Sequence, residues 1–194
     1  MNEHVATLMQ TIRALESEIE VEVAKRRAEL RFGLERGKIA FEDEVRRRHK
    51  DLKVALAVYV LNARPLVALT APLIYGLIVP IALLDLSVML YQAICFRAYG
   101  IARARRRDYL VFDRYHLSYL NALEKVNCAY CSYANGAIAF AREVAARTEQ
   151  HWCPIKHARR VIGAHEQYRE FLDFGDAEAY RDWLAKVARD QAAK

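Results

Sequence analysis

Nothing in this 194-residue chain is laid out to cradle a nucleotide or activate a nucleophile: it has no Walker loop, no nucleophile elbow and no dinucleotide fingerprint. Asp173-Phe174-Gly175 matches a kinase triplet by letters alone, because the phosphate loop, catalytic lysine context and catalytic loop that give the triplet its role are missing. The first fifty residues are highly charged and hold no apolar run of signal-peptide type, so the N-terminus is expected to stay in the cytoplasm. Proline is absent before Pro65, which leaves the N-terminal third free to be helical. Charge is the fourth scarcity. From Pro65 to Phe96 the only charged side chain is Asp85.

That last absence organises the chain. An apolar stretch from Val54 to Phe96 exceeds the roughly 20 residues a bilayer requires, and it predicts an integral membrane protein. Its flanks are basic: Arg46, Arg47 and Arg48 on one side, and Arg103, Arg105, Arg106 and Arg107 on the other. With a net charge of +6, these arginines make anionic lipid head groups the expected partner, and no nucleic acid is expected. The positive-inside rule would keep both flanks in the cytoplasm, which needs an even number of crossings. The expected arrangement over residues 53–98 is therefore a transmembrane hairpin that turns near Ile74 and Tyr75, with both termini cytoplasmic. In that arrangement Arg64 lies opposite Asp85, and the two form an intramembrane ion pair. The alternative is a single long tilted span over residues 65–96, with Leu52 to Asn62 at the interface.

Residues 1–52 carry an eleven-residue repeat. Leu8, Ile19, Leu30, Phe41 and Leu52 form one row, and Ile12, Val23, Leu34, Val45 and Leu56 form the second. Such a repeat of about 3.67 residues per turn predicts one long cytoplasmic helix with a narrow apolar stripe, suited to coiled-coil packing in a homo-oligomer or on a protein partner. Gly33 and Gly37 weaken that helix by roughly 1 kcal/mol each.

The remaining part, residues 99–194, is expected to be a cytoplasmic helical domain. Tyr109, Phe112, His116, Tyr119 and Leu123 recur at helical spacing, and Asp113 with His116 forms only half of a carboxylate-bridged metal pattern. More informative is Cys128-Ala129-Tyr130-Cys131, followed after twenty-one residues by Cys153-Pro154-Ile155-Lys156-His157. Cys128, Cys131, Cys153 and His157 match the ligand set of a closed tetrahedral zinc site, with iron as the alternative metal. Asn127 and Asn135-Gly136 would allow tight turns there, and Cys153-Pro154 would open a helix. Two other readings of these cysteines are buried small apolar side chains and a redox pair at Cys128 and Cys131. Helical patterns from Ala134 to Arg147 and from Ala158 to Phe171 follow. Gly175 and Asp176 then stop one helix and cap the last, whose docking face is Tyr180, Trp183, Leu184 and Val187.

The sequence thus predicts an all-α membrane protein with a long N-terminal amphipathic helix, a membrane hairpin and a C-terminal helical domain holding a metal site. The expected function is that of a membrane-anchored, self-associating scaffold or assembly subunit, not of an enzyme. Two alternatives are a metal-dependent redox or electron-transfer protein and a subunit of an ion or proton pathway through Arg64 and Asp85.

Overall fold

The computed structural model describes residues 3–30, 32–35 and 38–192. Helices dominate, and the chain divides into two compact units, residues 1–63 with 113–128, and residues 64–112 with 129–194.

In the first unit, helix α1 runs from Glu3 to Glu29, so the eleven-residue repeat is not one unbroken helix to residue 52. Strands β1 (Phe32–Glu35) and β2 (Lys38–Phe41) follow as an antiparallel pair, with Phe32 opposite Phe41 and Glu35 opposite Lys38. Two glycines within five residues penalise a helix here, while the aromatic and branched residues around them suit strands. The chain becomes helical again in α2 (Asp43–Asp51) and α3 (Leu56–Leu61). His49 of α2 is held edge-on between Phe41 and Tyr119, with ring centroids 5.1 and 5.0 Å away. The α1 stripe has no cover: Leu8, Ile12, Ile19 and Val23 are all exposed.

The second unit is built on the apolar segment. Helix α4 (Pro65–Gly76) and helix α5 (Ile78–Tyr91) are separated by Leu77 alone, and its φ of −62° and ψ of −15° keep the chain on a helical path. A π-helical turn (Gln92–Phe96) and α6 (Arg97–Tyr99) continue it, giving one 35-residue run from Pro65 to Tyr99 that is long and apolar enough to cross a membrane. The chain does not fold back near Ile74 and Tyr75 as the expected hairpin requires. The reasons are local. Gly76 does not take a positive φ, and Pro80 falls in the first turn of α5, where an N–H has no partner within that helix to lose. With no fold-back, the argument that put both basic flanks and both termini on one side loses its basis.

The run ends at Gly100, whose φ of +70° turns the backbone out of the helix while Ile101 N–H donates back to the Phe96 carbonyl at 2.9 Å. An irregular segment follows, with short 3-10 turns at Arg106–Asp108 and Arg114–His116, where the aromatic spacing predicted a helix. Gln92 anchors its start by pairing with both backbone groups of Ala104, at 2.6 and 3.2 Å.

Helix α7 (Ala122–Trp152) then runs alongside the apolar helix in the same direction. Tyr130 Oη donates to the Ile74 carbonyl at 2.5 Å near one end, and the rings of Tyr99 and Trp152 meet at 5.2 Å at the other. Asn121 and Glu124 form a reciprocal capping box at the start of α7, each side chain accepting the other's backbone N–H at 3.0 and 2.8 Å. Its small residues form the contact face. A Cβ on Gly136 would lie 2.6 Å from the Tyr109 carbonyl oxygen, so the backbone at Tyr109 and Leu110 rests directly on the helix. Phe96, Ala104, Phe140 and Val144 close the core of this unit.

Beyond α7 the expected helix from Ala158 to Phe171 is replaced by a turn at Gly163 (φ +70°) and a 3-10 segment, Glu166–Glu170. No helix is there for Gly175 to stop, but the predicted cap of the last helix is present. Gly175 has φ +89°, Asp176 Oδ1 accepts the Ala179 N–H at 3.0 Å, and α8 runs from Ala177 to Ala192.

Candidate functional site

The apolar helix presents a stripe to the rest of its unit at three- and four-residue steps: Ile78, Ile81, Asp85, Val88, Gln92 and Phe96 are buried or half-buried. Much of the rest of the helix surface is exposed. Leu66, Leu69 and Leu73 are 71%, 75% and 76% exposed, and Ile94 is 68% exposed.

Asp85 sits in the middle of the stripe and is only 2% exposed. A carboxylate in such a place needs a cation and hydrogen-bond donors, because the uncompensated charge would cost several kcal/mol. The structure supplies both. Arg106 Nε donates to Asp85 Oδ1 at 3.0 Å, its Nη2 donates to Oδ2 at 2.6 Å, and Tyr133 Oη donates to Oδ2 at 3.0 Å. The two-pronged geometry is the strong form of an arginine–carboxylate contact. Arg106 comes from the 3-10 turn after the apolar helix and Tyr133 from α7, so this cluster ties three separate segments together.

The expected partner of Asp85 is therefore corrected. Arg64 stands just before the first turn of α4, 21 residues of helix from Asp85. At 1.5 Å per residue that is about 30 Å, far beyond ion-pair range. Arg106 belongs by sequence to the arginines expected at lipid head groups, yet its side chain is drawn inward and is 38% exposed. The others in that group, Arg46, Arg47 and Arg48 on α2 and Arg103, Arg105 and Arg107 after the apolar helix, are exposed.

The proposed metal ligands are not brought together. Cys128 and Cys131 lie one turn apart within α7, and no knuckle forms at Asn127 or Asn135. Cys131 and Cys153 are separated by 22 residues of essentially unbroken helix, about 33 Å. Cys153 ends α7 instead of opening a helix: its N–H still donates to the Glu149 carbonyl at 2.8 Å, and Pro154 follows. His157 is engaged elsewhere, its backbone N–H donating to Tyr168 Oη at 2.6 Å and its ring stacked on that tyrosine. Among the described residues, no group of three or more histidines, cysteines or carboxylates is placed to hold a metal ion.

A second polar network lies along α7, and spacing gave no hint of it. Glu143 accepts from Arg147 at 2.7 Å and from Gln167 at 3.1 Å. His165 accepts the Tyr168 N–H at Nδ1, which leaves Nε2–H to donate to Glu149 at 2.9 Å. Burial, with the Glu143 carboxylate beside it, pushes the Tyr109 phenol above its usual range. Arg142 donates to the Gly163 carbonyl and pins the turn there. Each group in this network already has protein partners, so its evident role is to fasten the segment from Ile155 to Phe171 onto α7.

No family model, no curated protein and no solved structure matches this chain.

Proposed function

We propose that the protein is a membrane-anchored, non-catalytic scaffold or assembly subunit, held in the bilayer by the helix Pro65–Tyr99 and able to associate with further copies through the α1 stripe. The observation that carries this reading is the exposed apolar surface of that helix, which runs from Leu66 to Ile94. A surface of this extent in water would be strongly unfavourable, and hydrocarbon removes the cost. The 28-residue separation corresponds to about 42 Å of helix. A tilt of about 40° shortens the projection to about 32 Å, at the upper end of both helix tilts and bilayer thicknesses.

Asp85 is compatible with such a span because it faces α7 and not lipid, and because both carboxylate oxygens are engaged. The same engagement favours a structural role over a proton or ion pathway. A relay group needs a free position for its proton or ion, and Arg106 and Tyr133 occupy those positions. Self-association is supported by Leu8, Ile12, Ile19 and Val23, an uncovered apolar row on a 27-residue helix.

The test is fractionation of the full chain expressed in cells. The protein should sediment with membranes, resist extraction at alkaline pH and dissolve only in detergent, where light scattering should report more than one copy. Release into the aqueous fraction at alkaline pH sinks the membrane reading, and a detergent-solubilised monomer sinks self-association.

A further inference from the structure

A groove of about 730 Å³ opens where the apolar helix ends, lined by Arg97, Tyr99, His151, Trp152, Trp183 and Leu184. Three elements build it. The end of the apolar helix supplies Arg97 and Tyr99, the end of α7 supplies His151 and Trp152, and the apolar face of α8 supplies Trp183 and Leu184. The aromatic wall is ordered by ring contacts: Tyr99 stacks on His151 with centroids 6.0 Å apart and meets Trp152 edge-on at 5.2 Å. Arg97 is the only formally charged residue in the lining, and among the described residues its side chain makes no hydrogen bond or ion pair.

We infer that this groove is a phospholipid site, in which Arg97 binds the anionic phosphate and the aromatic wall holds the glycerol and upper acyl region. Three features on the molecule select this occupant. First, the groove is continuous with the uncovered flank of the apolar helix: Leu83, Leu86, Leu90 and Ile94 follow one another at three- and four-residue steps, all exposed, and Arg97 comes three residues later. A long apolar track that ends in a cation matches an acyl chain that ends in a phosphate. Second, an unpaired guanidinium offers several N–H donors in the planar arrangement that suits phosphate oxygens, and no carboxylate in the lining competes for it. Third, tyrosine and tryptophan with one apolar and one polar end are the side chains that settle at the bilayer–water boundary, and Tyr99, Trp152 and Trp183 gather at one end of the apolar helix. The cavity is also within the range that ordinary ligand pockets occupy.

This inference rests on the membrane reading above, and the test separates the two. The full chain, extracted in mild detergent and passed through gel filtration, is analysed by native mass spectrometry and phosphorus assay. It is compared with Arg97→Glu and Arg97→Gln, and with Arg160→Gln as a control at an exposed arginine outside the groove. In parallel each protein is mixed with phosphatidylglycerol vesicles and floated. The parent should float and retain stoichiometric phospholipid. Arg97→Glu should lower retention about tenfold, as expected for loss of one charge-assisted contact, while still floating and unfolding at the parent temperature. Arg97→Gln should lie between them, and Arg160→Gln should match the parent. A parent that floats but retains no phospholipid, or equal retention in parent and Arg97→Glu, overturns the groove and leaves the membrane anchor standing. A parent that fails to float yet holds phospholipid through Arg97 upholds the groove and overturns the anchor. Failure of both removes both.

Discussion

The two halves of the apolar helix have similar side chains and different surroundings. From Pro65 to Leu77 the helix is bare on nearly every side; Leu66, Leu69 and Leu73 are exposed, and Ala71 is half-covered. From Ile78 to Tyr99 one face is occupied by α7 and by the segment after Gly100, and into that face the chain puts its polar residues, Asp85 and Gln92. Apolar composition alone does not distinguish these situations. What distinguishes them is where the polar groups fall, because a carboxylate or an amide inside an apolar segment is tolerable only where other protein segments bring it partners. The first half therefore depends on its solvent, and the second depends on the fold.

The sharpest break between the halves comes from placing a charge in the first. Leu73→Arg puts an unpaired guanidinium on the bare half, at a cost of roughly 3 kcal/mol on membrane-insertion scales. The variant should lose much of its resistance to alkaline extraction, while its unfolding in detergent should change little, since Leu73 touches little of the fold. Equal extraction of parent and variant would mean that the bare half is covered by protein instead of lipid.

In the second half the decisive contact is Arg106 with Asp85. Removing the arginine leaves a carboxylate with 2% exposure and a single tyrosine donor. Breaking a fully buried pair costs about 3–5 kcal/mol, and the partial exposure of Arg106 reduces the expected loss to about 2–3 kcal/mol. Arg106→Ala should thus lower the unfolding midpoint in detergent markedly, whereas Arg64→Ala should stay within about 0.5 kcal/mol of the parent, as surface substitutions do. A double-mutant cycle of Arg106→Ala with Asp85→Asn should show coupling, and one pairing Arg64→Ala with Asp85→Asn should show none. Equal losses for the two arginines would revive a fold-back at Ile74 and Tyr75.

This contrast also explains what could be read from the chain by itself. The apolar run, its length sufficient for a membrane, the helix over Ala134 to Arg147 and the glycine-and-aspartate boundary before α8 are local patterns, and each is found in the structure. The partner of Asp85 is not local. Nothing in the arginine cluster after Gly100 marks Arg106 apart from Arg103, Arg105 and Arg107, because its role is set by where a 3-10 turn places it. The cysteine spacing is ambiguous for a related reason. Two residues between Cys128 and Cys131 suit a metal knuckle, but the same interval is one helical turn, and the alanine-rich sequence around it favours the helix. Asn135-Gly136 reads as a turn in isolation, whereas Gly136 is there to admit the Tyr109 backbone. At Gly33 a periodic apolar row continues through a segment whose glycines penalise a helix and whose aromatic and branched residues suit strands.

The smallest expected effect serves as a control on the argument that burial, not charge pairing as such, gives Asp85 its weight. Lys156 and Asp173 form an ion pair at 2.8 Å on the surface of the same unit, beside the short bridge between Ile155 and Leu172. The lysine holds the Asp173 carboxyl below its ordinary value of 3.8, chiefly through the hydrogen bond and secondarily through its charge. The folded value is depressed, so the unfolded chain takes up the proton first as pH falls. The stabilisation is complete above the unfolded value and disappears as pH drops through the folded one. Asp173→Asn should therefore unfold at a slightly lower midpoint than the parent near pH 6, and the two should converge once pH has dropped through the folded value and the parent carboxyl is protonated as well. The difference near pH 6 should also shrink in high salt, because an exposed pair is screened, while the loss caused by Arg106→Ala should persist. A salt-sensitive Arg106→Ala effect as small as that of Asp173→Asn would show that the packed half of the apolar helix is open to water at Asp85, and that its polar residues are held no differently from those on the surface.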